Sequence, residues 1–225
     1  MTLEVDPRLQ PLRDLVTVYA RRSPVGSVAV VGNAPMVPSR TRAEQIDGCD
    51  LVLRMNSFVL DRPGEPACQG SRADVVLFSR LVPVTPFFFD RYSERLYVLL
   101  EPMRMYGRAE RWPRSWPGDL GFAAARNDAV AVPLLTSLGL PWREQRLAPT
   151  TGTTGAFLAT ALFPGAEVLV TGISFIDDPD QTHWHHQWGD SVGVGAEHRI
   201  AAEATMLRSW IDRGVIRALP LTGDL

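Results

Sequence analysis

The sequence predicts an α/β fold in which helices flank a Rossmann-like parallel sheet. Short runs of β-branched and other apolar residues recur along the chain, as in strands that are buried on both faces. Segments with helical spacing of apolar residues separate these runs, and such alternation is typical of a parallel sheet. Each run ends in glycine or a polar residue, and parallel sheets bind ligands at the carboxyl ends of their strands. We expect residues 1–225 to form one domain, either alone or with a small lid within residues 176–196.

The predicted elements follow one another from the N-terminus. An opening helix is expected over residues 6–21, where apolar residues recur at helical spacing. The expected strands are 28–31, 51–53, 75–78, 96–100, a weak strand near 129–132, 168–170, and a closing strand at 215–219. The later helices are expected after Pro133, over 154–162, and over 198–213.

Composition excludes several classes of protein. The net charge is −2 and no block of basic residues is present, so the electrostatic footprint of a nucleic-acid-binding protein is missing. No apolar run approaches the roughly 20 residues that cross a bilayer, and residues 1–22 lack the apolar region of a signal peptide. Cys49 and Cys68 are the only cysteines, and two free thiols fit a reducing compartment. We therefore expect a cytoplasmic protein with no membrane span and no nucleic-acid partner.

Polar residues at the ends of the first two strands are candidates for binding a nucleoside. Gly32 and Asn33 follow the first strand, and Arg54-Met-Asn56 ends the second. The dinucleotide-binding fingerprint needs two further glycines after Gly32, where this chain has alanine and valine, so a dehydrogenase is not favoured. A side-chain amide both donates and accepts hydrogen bonds, so Asn33 and Asn56 could bind a base or ribose edge. Alternatively, each asparagine only forms a turn with its own backbone.

A segment rich in threonine and glycine, residues 149–155, predicts a phosphate-binding helix start. Thr150, Thr151 and Gly152 lie where free N–H groups and the positive end of the helix dipole favour an anion. The segment lacks the lysine of a P-loop, so an ATPase is not favoured. Alternatively, the threonines only cap the helix. Either Gly152 or Gly155 could be the glycine that faces the phosphate.

All four histidines lie between residues 183 and 198, and this clustering is the strongest chemical signal in the sequence. They are His183, His185, His186 and His198. Histidine is the most common general acid or base near neutral pH and a common metal ligand. A zinc site that includes Asp178, Asp180 or Glu197 stays open, although the spacing matches no standard zinc motif and the aspartates are more typical of an acidic loop.

Four segments, in order, resemble the sialylmotifs of sialyltransferases. Residues 28–33, Val-Ala-Val-Val-Gly-Asn, and residues 52–56, Val-Leu-Arg-Met-Asn, resemble the large motif. Residues 149–152, Pro-Thr-Thr-Gly, and residues 167–172, Glu-Val-Leu-Val-Thr-Gly, resemble the small motif.

The remaining motifs lie in the histidine-rich part of the chain. His186-Gln-Trp188 resembles the third motif, and His198 with Glu203 resembles the very small motif, His-x4-Glu. Glu203 lies five positions after His198, about 140° around a helix, so Glu203 is expected to have a structural role. Gln145-Arg146, residues 171–175 and the short chain resemble the compact bacterial sialyltransferases.

The resemblance implies a GT-A-like sialyltransferase variant of the predicted fold, acting as an inverting glycosyltransferase that needs no metal or other cofactor. The donor would be a CMP-activated sugar of the sialic acid type, and the acceptor would be a hydroxyl of a small molecule or glycan. The animal-type family joins its large and small motifs by a disulfide, but Val28 stands at one of those positions, in keeping with a cytoplasmic enzyme.

The resemblance also assigns roles to individual residues. His198 would be the catalytic base, and His186, with Arg146, would stabilise the leaving phosphate. The nucleotide would be bound by Gly32, Asn33, Arg54, Asn56, Arg146, Thr150, Thr151, Gly152, Gly172, Ile173 and Ser174. The alternatives are a hydrolase of CMP or a CMP-sugar on the same scaffold, and a CMP-binding protein without catalytic activity.

Overall fold

The computed structural model describes residues 4–79, 84–100 and 116–223, and a parallel sheet forms its centre. Its strands are β1 (Ser27–Val31), β2 (Leu51–Met55), β3 (Val75–Phe78), β4 (Leu96–Leu99), β5 (Phe122–Ala124), β6 (Glu167–Thr171), β7 (His183–His185), β8 (Ser191–Gly193) and β9 (Arg217–Ala218). Seven of them form one sheet in the order β5-β4-β3-β2-β1-β6-β9, in which every neighbouring pair is parallel. β7 and β8 form a separate antiparallel hairpin.

The central strands are buried on both faces, which explains their uninterrupted apolar sequences. Val30 of β1 lies between Leu53 of β2 and Val170 of β6 in the register of the sheet. All three side chains are buried in the main hydrophobic core. Burial of apolar surface on both sides of a sheet leaves no position for a polar face, so the sequence does not alternate.

The strand order reverses between β1 and β6, and this is where the sheet opens. From β1 the chain adds β2, β3, β4 and β5 on one side, whereas β6 and β9 lie on the other. The carboxyl ends of two such strands diverge and leave a crevice for ligands. Gly32 follows β1 and Gly172 follows β6, and their backbones touch: an added Cβ on either would overlap the carbonyl group of the other. Gly172 also has φ +70°, which favours glycine.

Helices cover the sheet on both sides. They are α1 (Gln10–Val18), α2 (Arg40–Gly48), α3 (Pro86–Phe89), α4 (Ala131–Ser137), α5 (Trp142–Gln145), α6 (Thr151–Leu162) and α7 (Ile200–Asp212). α6 contacts β1, β2, β3 and β6, and also packs on α1 and α4. Gly155, Ala156 and Ala159 of α6 are buried, so this helix lies close to the sheet. Within the described ranges, no helix is long and apolar enough to cross a membrane.

The α/β class, the parallel sheet and the flanking helices predicted from the sequence are confirmed. The strand predicted near residues 129–132 is wrong, because Ala129 and Val130 lie in the turn that leads into α4, while the strand of this region is β5. Both residues are buried in the main core. The segment that leads into this helix therefore has an apolar run like that of a buried strand. Pro133 lies in the first turn of α4. A backbone N–H there has no partner within the helix, so proline costs no hydrogen bond.

The boundaries of the two helices nearest the predicted site also differ from those predicted. α6 begins at Thr151 rather than at 154, and α7 begins at Ile200 rather than at 198. Helix α2 and the hairpin β7–β8 were not predicted. In α2, Ala43 and Ile46 are the only apolar residues other than glycine, which is too few to produce a clear helical pattern.

Gly155→Ala is expected to destabilise the protein by about 1–3 kcal/mol, the usual cost of overpacking a core. An added Cβ at Gly155 would lie 3.0 Å from Val30 Cγ1 and 3.2 Å from Leu77 Cδ1, so these buried side chains would have to shift by a few tenths of an ångström. The matched control is Gly48→Ala at the end of α2, where nothing lies within 4 Å of the added atom. This control should be neutral or stabilising by about 0.5–1 kcal/mol, because alanine forms helix better. Urea unfolding measures both, and equal effects would contradict the packing argument.

Candidate active site

A cleft lies at the carboxyl ends of β1, β2 and β6, beside the hairpin β7–β8. The cleft is open to solvent and has a cavity volume of about 160 Å³. Every site residue predicted from the sequence lines it except Arg54 and Arg146. Ala34, Met55, Phe175, Trp184 and His185 also line the cleft and were not predicted. The topology therefore brings together residues from the four motif segments.

Asn33 presents a hydrogen-bond acceptor to the cleft. Its side-chain Nδ2 donates to the carbonyl oxygen of Met55 at 2.8 Å, which fixes the orientation of the amide. Among the described residues, none donates to Asn33 Oδ1, so this is the atom left for a ligand. The backbone N–H of Gln187 donates to the carbonyl oxygen of Asn33 at 3.0 Å and ties the hairpin to this side of the cleft.

Asn56 joins three elements at the edge of the cleft. Its backbone has φ +50°, a conformation that asparagine tolerates better than most residues. The Oδ1 atom accepts from the N–H of Ser79 after β3, at 3.2 Å, and Nδ2 donates to Thr151 Oγ1 in α6, also at 3.2 Å. Because both ends of the amide are bonded within the protein, Asn56 mainly positions Thr151, and only one of its N–H groups remains for a ligand.

The N-terminus of α6 points into the cleft and is anchored from behind by Glu203. Thr150 is the N-cap: its hydroxyl accepts from the N–H of Thr153 at 3.2 Å and donates to Glu203 Oε2 at 2.6 Å. Glu203 is 1% exposed and also accepts from the N–H of Thr150 at 3.0 Å. The N–H groups of Thr151 and Gly152 lie in the first turn, where a helix has no internal partners for them. These two N–H groups are therefore available to an anion, and the structural role predicted for Glu203 is confirmed.

The structure distinguishes the two glycines of this segment. Gly152 lines the cleft, and an added Cβ there would only make ordinary contacts of 3.4 Å with the side chain of Ile173. Gly155 instead packs against Val30 and Leu77 of the sheet. Of the two, Gly152 is thus the one that can face a bound anion.

His198 is held in one tautomer by the backbone. Its Nδ1 lies 2.9 Å from the carbonyl oxygen of Ala148, and a carbonyl oxygen can only accept. Nδ1 therefore carries a proton, and the lone pair of Nε2 is left free. The ring packs edge-on against Trp184, with centroids 6.3 Å apart, and Glu197 Oε1 lies 3.8 Å from Nε2. His198 lies two residues before the first residue of α7, so it precedes the helix rather than beginning it.

His186 is held by an aspartate at the same ring position. Its Nδ1 lies 2.5 Å from Asp190 Oδ1, and the ring stacks on Trp188 with centroids 4.5 Å apart. Burial alone would raise the pKa of Asp190, but hydrogen bonds from His186 and Trp188 outweigh it and lower that pKa. Asp190 is therefore a carboxylate near neutral pH. It orients the imidazole and leaves Nε2 as the ring nitrogen available to a ligand.

Arg54 and Arg146, both predicted to bind the nucleotide, do not line the cleft. Arg54 is 1% exposed and donates to the carbonyl oxygens of Gln69, Gly70 and Arg72 at 2.7, 3.3 and 2.9 Å. Burial lowers the pKa of Arg54 to about 10, because the guanidinium loses its hydration. Arg146 is exposed at the end of α5, with φ +56°. Within the described ranges, no arginine lines the cleft, so the attraction for an anion comes from α6 and the histidines.

The histidine cluster divides between the cleft and the surface. His183 is exposed and its Nδ1 pairs with Thr182 Oγ1 at 3.0 Å. Asp178 and Asp180 are also exposed. In the part of the chain that the structure describes, no group of three histidine, cysteine, aspartate or glutamate side chains is arranged to hold a metal ion. The zinc site left open by the sequence thus has no set of ligands among these residues.

Trp184 is the main residue that sequence reasoning missed. Its ring lies between Phe175, at a centroid distance of 6.0 Å, and His198, at 6.3 Å. It therefore packs against the His198 ring, whose Nδ1 is bonded to the backbone. The sequence signal for Trp184 was its position between two histidines. Successive side chains of a strand point to opposite faces, so a tryptophan between two polar residues points to the face opposite theirs.

Comparison with solved structures gives two similar proteins. One is a mammalian sialyltransferase in complex with Gal-beta-1-3GalNAc-ortho-nitrophenol. It is 19% identical with a TM-score of 0.56, and the match covers 97% of this chain and 75% of that one. The other is a mammalian sialyltransferase that is 16% identical with a TM-score of 0.54, and the match covers 96% of this chain and 80% of that one. This chain has the fold of the sialyltransferases.

At this level of identity the comparison establishes the fold alone. This fold is the one that the resemblance in the motifs implies. No family model matches the sequence, and no curated protein matches it.

Arg54→Lys is expected to lower the free energy of unfolding by about 1–3 kcal/mol, the cost of leaving buried carbonyl groups without a partner. A lysine ammonium cannot donate in the directions of the three carbonyls that the planar guanidinium reaches. The matched control is Arg146→Ala, an exposed position expected to change stability by less than about 0.5 kcal/mol. Urea unfolding gives both values, and a larger loss at Arg146 than at Arg54 would contradict the structural assignment of Arg54.

Proposed function

We propose that the protein is an inverting glycosyltransferase that transfers a sialic-acid-like sugar from a CMP donor to a hydroxyl acceptor, without a metal ion. One observation carries the proposal. His198 and His186 line the same cleft as the N-terminus of α6, and each imidazole is fixed at Nδ1 so that Nε2 is available. This arrangement supplies a base and an anion site together, as sugar transfer with a phosphate leaving group requires.

The leaving phosphate belongs at the N-terminus of α6. The N–H groups of Thr151 and Gly152 and the hydroxyl of Thr151 can donate to it, and the helix dipole favours its negative charge. His186 would add a further donor from the hairpin. A nucleoside monophosphate needs less charge neutralisation than a diphosphate, which supports CMP as the leaving group and a reaction without metal.

His198 acts as the base for the acceptor. The acceptor oxygen bonds to the anomeric carbon while the bond between this carbon and the phosphate oxygen breaks, and CMP leaves with the electron pair. Nε2 of His198 takes the proton of the acceptor hydroxyl, and the carboxylate of Glu197, 3.8 Å from Nε2, stabilises the imidazolium that results. A single displacement inverts the configuration at the anomeric carbon. The similar mammalian sialyltransferase is in complex with Gal-beta-1-3GalNAc-ortho-nitrophenol, which supports a glycan hydroxyl as acceptor for this chain.

The proposal includes a cytoplasmic location. Cys49 and Cys68 are both free thiols, and burial raises the pKa of Cys49 to about 11. Such thiols are not reactive, and a reducing compartment keeps them free.

CMP is expected to bind at least ten-fold more tightly than UMP or GMP, a difference of about 1.4 kcal/mol or more. Asn33 offers an acceptor, Oδ1, to the cleft. It can accept from the exocyclic amine of cytosine, whereas uracil and guanine have a carbonyl oxygen in the corresponding place. Calorimetric titrations measure the three affinities. Asn33→Ala is the control, because it should abolish the preference, and equal affinities in the unaltered protein would refute the cytidine assignment.

His198→Ala is expected to lower kcat by roughly 10²–10⁴ with little change in CMP affinity, because the base faces the acceptor. His186→Ala is expected to lower turnover and also weaken CMP binding by about 1–3 kcal/mol, because it removes a donor to the phosphate. Single-turnover rates are measured in excess EDTA with a CMP-sialic acid donor and a galactoside acceptor. Mass spectrometry separates the transfer product from free sugar and so distinguishes a transferase from a hydrolase.

Both histidine variants should keep the melting temperature of the unaltered protein within a few degrees, since both side chains lie at the cleft rather than in the core. Full transfer activity of a folded His198→Ala protein would rule out the mechanism above. Free sugar as the only product, with the acceptor present, would favour the hydrolase instead.

A further inference from the structure

A groove that is open to solvent lies beside the cleft, between the base of the hairpin β7–β8 and the start of α7. We call it the α7 groove, and its cavity volume is about 520 Å³. The pairing of the hairpin continues to the edge of this groove, because the N–H of Val194 donates to the carbonyl oxygen of Thr182 at 2.9 Å. The apolar residues that line the groove have no role in the reaction proposed above. They are Leu140, Pro179, Val194, Ile200, Ala201 and Ala202.

Arg199 is the one residue with a permanent charge among the described residues that line the α7 groove. Its guanidinium donates to the carbonyl oxygens of Ala196 and His198 at 2.6 and 3.0 Å. It also donates to Gln145 Oε1 at 3.0 Å, and this bond joins α5 to the start of α7. Because these bonds direct the charge to oxygen atoms of the protein itself, the groove is not built to receive an anion.

The polar side chains on the hairpin side of the groove are also bonded within the protein. Gln181 Nε2 donates to the carbonyl oxygen of His183 at 3.1 Å, and Thr182 Oγ1 pairs with His183 Nδ1 at 3.0 Å. A sugar in the groove would lose hydrogen bonds to water and find few partners to replace them. An apolar group would instead bury its surface against the apolar lining. The groove therefore favours an uncharged apolar occupant.

His198 connects the α7 groove to the reacting groups, since this residue lines both the groove and the cleft. In the proposed reaction the phosphate of the donor lies at the N-terminus of α6, and the acceptor hydroxyl lies at Nε2 of His198. The donor occupies the cleft, so the rest of the acceptor must extend past His198. The α7 groove begins at this point.

We infer that the α7 groove binds an apolar aglycone, an alkyl or aryl group attached to the acceptor sugar. The sugar lies at the mouth of the cleft with its hydroxyl at His198, and the aglycone lies along the start of α7. Burial stabilises the aglycone in proportion to the apolar area removed from water. Ala201, an exposed residue in the first turn of α7, leaves room for it because its side chain is small. This inference rests on the proposed function, because it takes His198 to be the base for the acceptor.

The test compares hexyl β-galactoside with methyl β-galactoside, which differ only in the length of the alkyl chain. Calorimetry measures their binding without a donor, and initial rates with CMP-sialic acid give kcat and KM for transfer. The unaltered protein is expected to bind the hexyl galactoside about ten-fold more tightly. The value of kcat/KM should rise by the same factor through KM alone, because the alkyl chain lies away from the reacting atoms.

Ala201→Gln places a polar side chain in the groove and should reduce both ratios to below about three-fold. Glutamine forms helices well, so the variant should keep the melting temperature of the unaltered protein. The matched control is Ser209→Gln, an exposed position two turns later on α7 that does not line the groove. This control should keep the ten-fold ratios.

Transfer to both galactosides with equal kcat/KM would show that the groove assignment is wrong while the proposed function stands. Ten-fold ratios in a folded Ala201→Gln protein, or their loss in Ser209→Gln, would also overturn the assignment. If CMP-sialic acid is not consumed with either galactoside, the proposed function is wrong and the groove assignment falls with it.

Discussion

The hydrogen bonds between the loop before α6 and the segment that starts α7 hold the candidate site together. The N–H of Ala148 donates to the carbonyl oxygen of Glu197, and the ring of His198 donates back to the carbonyl oxygen of Ala148. A few residues on, Glu203 accepts from the N–H and the hydroxyl of Thr150. The imidazole and the anion-binding end of α6 thus belong to one hydrogen-bonded unit, although about fifty residues separate them in the sequence.

Glu203 stabilises this unit because its buried carboxylate has hydrogen-bond donors. A buried carboxylate without donors would be very unfavourable, whereas the hydroxyl of Thr150 and its N–H, which is shared between both carboxylate oxygens, offset part of the cost of burial. The same argument applies to Arg54 of β2, whose guanidinium donates hydrogen bonds to carbonyl oxygens. Glu203 thus fixes the loop before α6 and Arg54 fixes the loop before β3, while the polar lining of the cleft consists of amides, hydroxyls and imidazoles.

The sequence was sufficient for six of the seven strands of the main sheet and for most of the cleft lining. Continuous apolar runs identify strands that are buried on both faces, and the polar residues after them meet at the point where strand order reverses. Arg54 was assigned to the nucleotide site because the motif gives the position of this residue but not the direction of its side chain. Successive side chains of β2 alternate: Leu53 and Met55 pack in the core beneath α6, while Val52 packs on the other side of the sheet. Arg54 follows the alternation of Val52, so strand periodicity alone would have placed it away from the cleft.

Other features depend on contacts that a linear motif does not contain. Asp190 lies two residues beyond the segment that resembles the third motif, residues 186–188, and Gly189, with φ +88°, lets the chain turn so that Asp190 reaches His186. A pocket lined by Asn127, Pro149 and Thr151 likewise depends on the packing of α4 beside α6.

The contact between Gly32 and Gly172 has a consequence for how this fold can evolve. In most packed pairs, a larger residue at one position is accommodated by a smaller one at the other, and such exchanges leave a record of covariation. Here an added Cβ at either position would meet the backbone of the other, and a backbone cannot be made smaller by mutation. No second substitution can rescue the first. Both positions must therefore remain glycine. Their interdependence would produce no correlated substitutions among descendants of this protein.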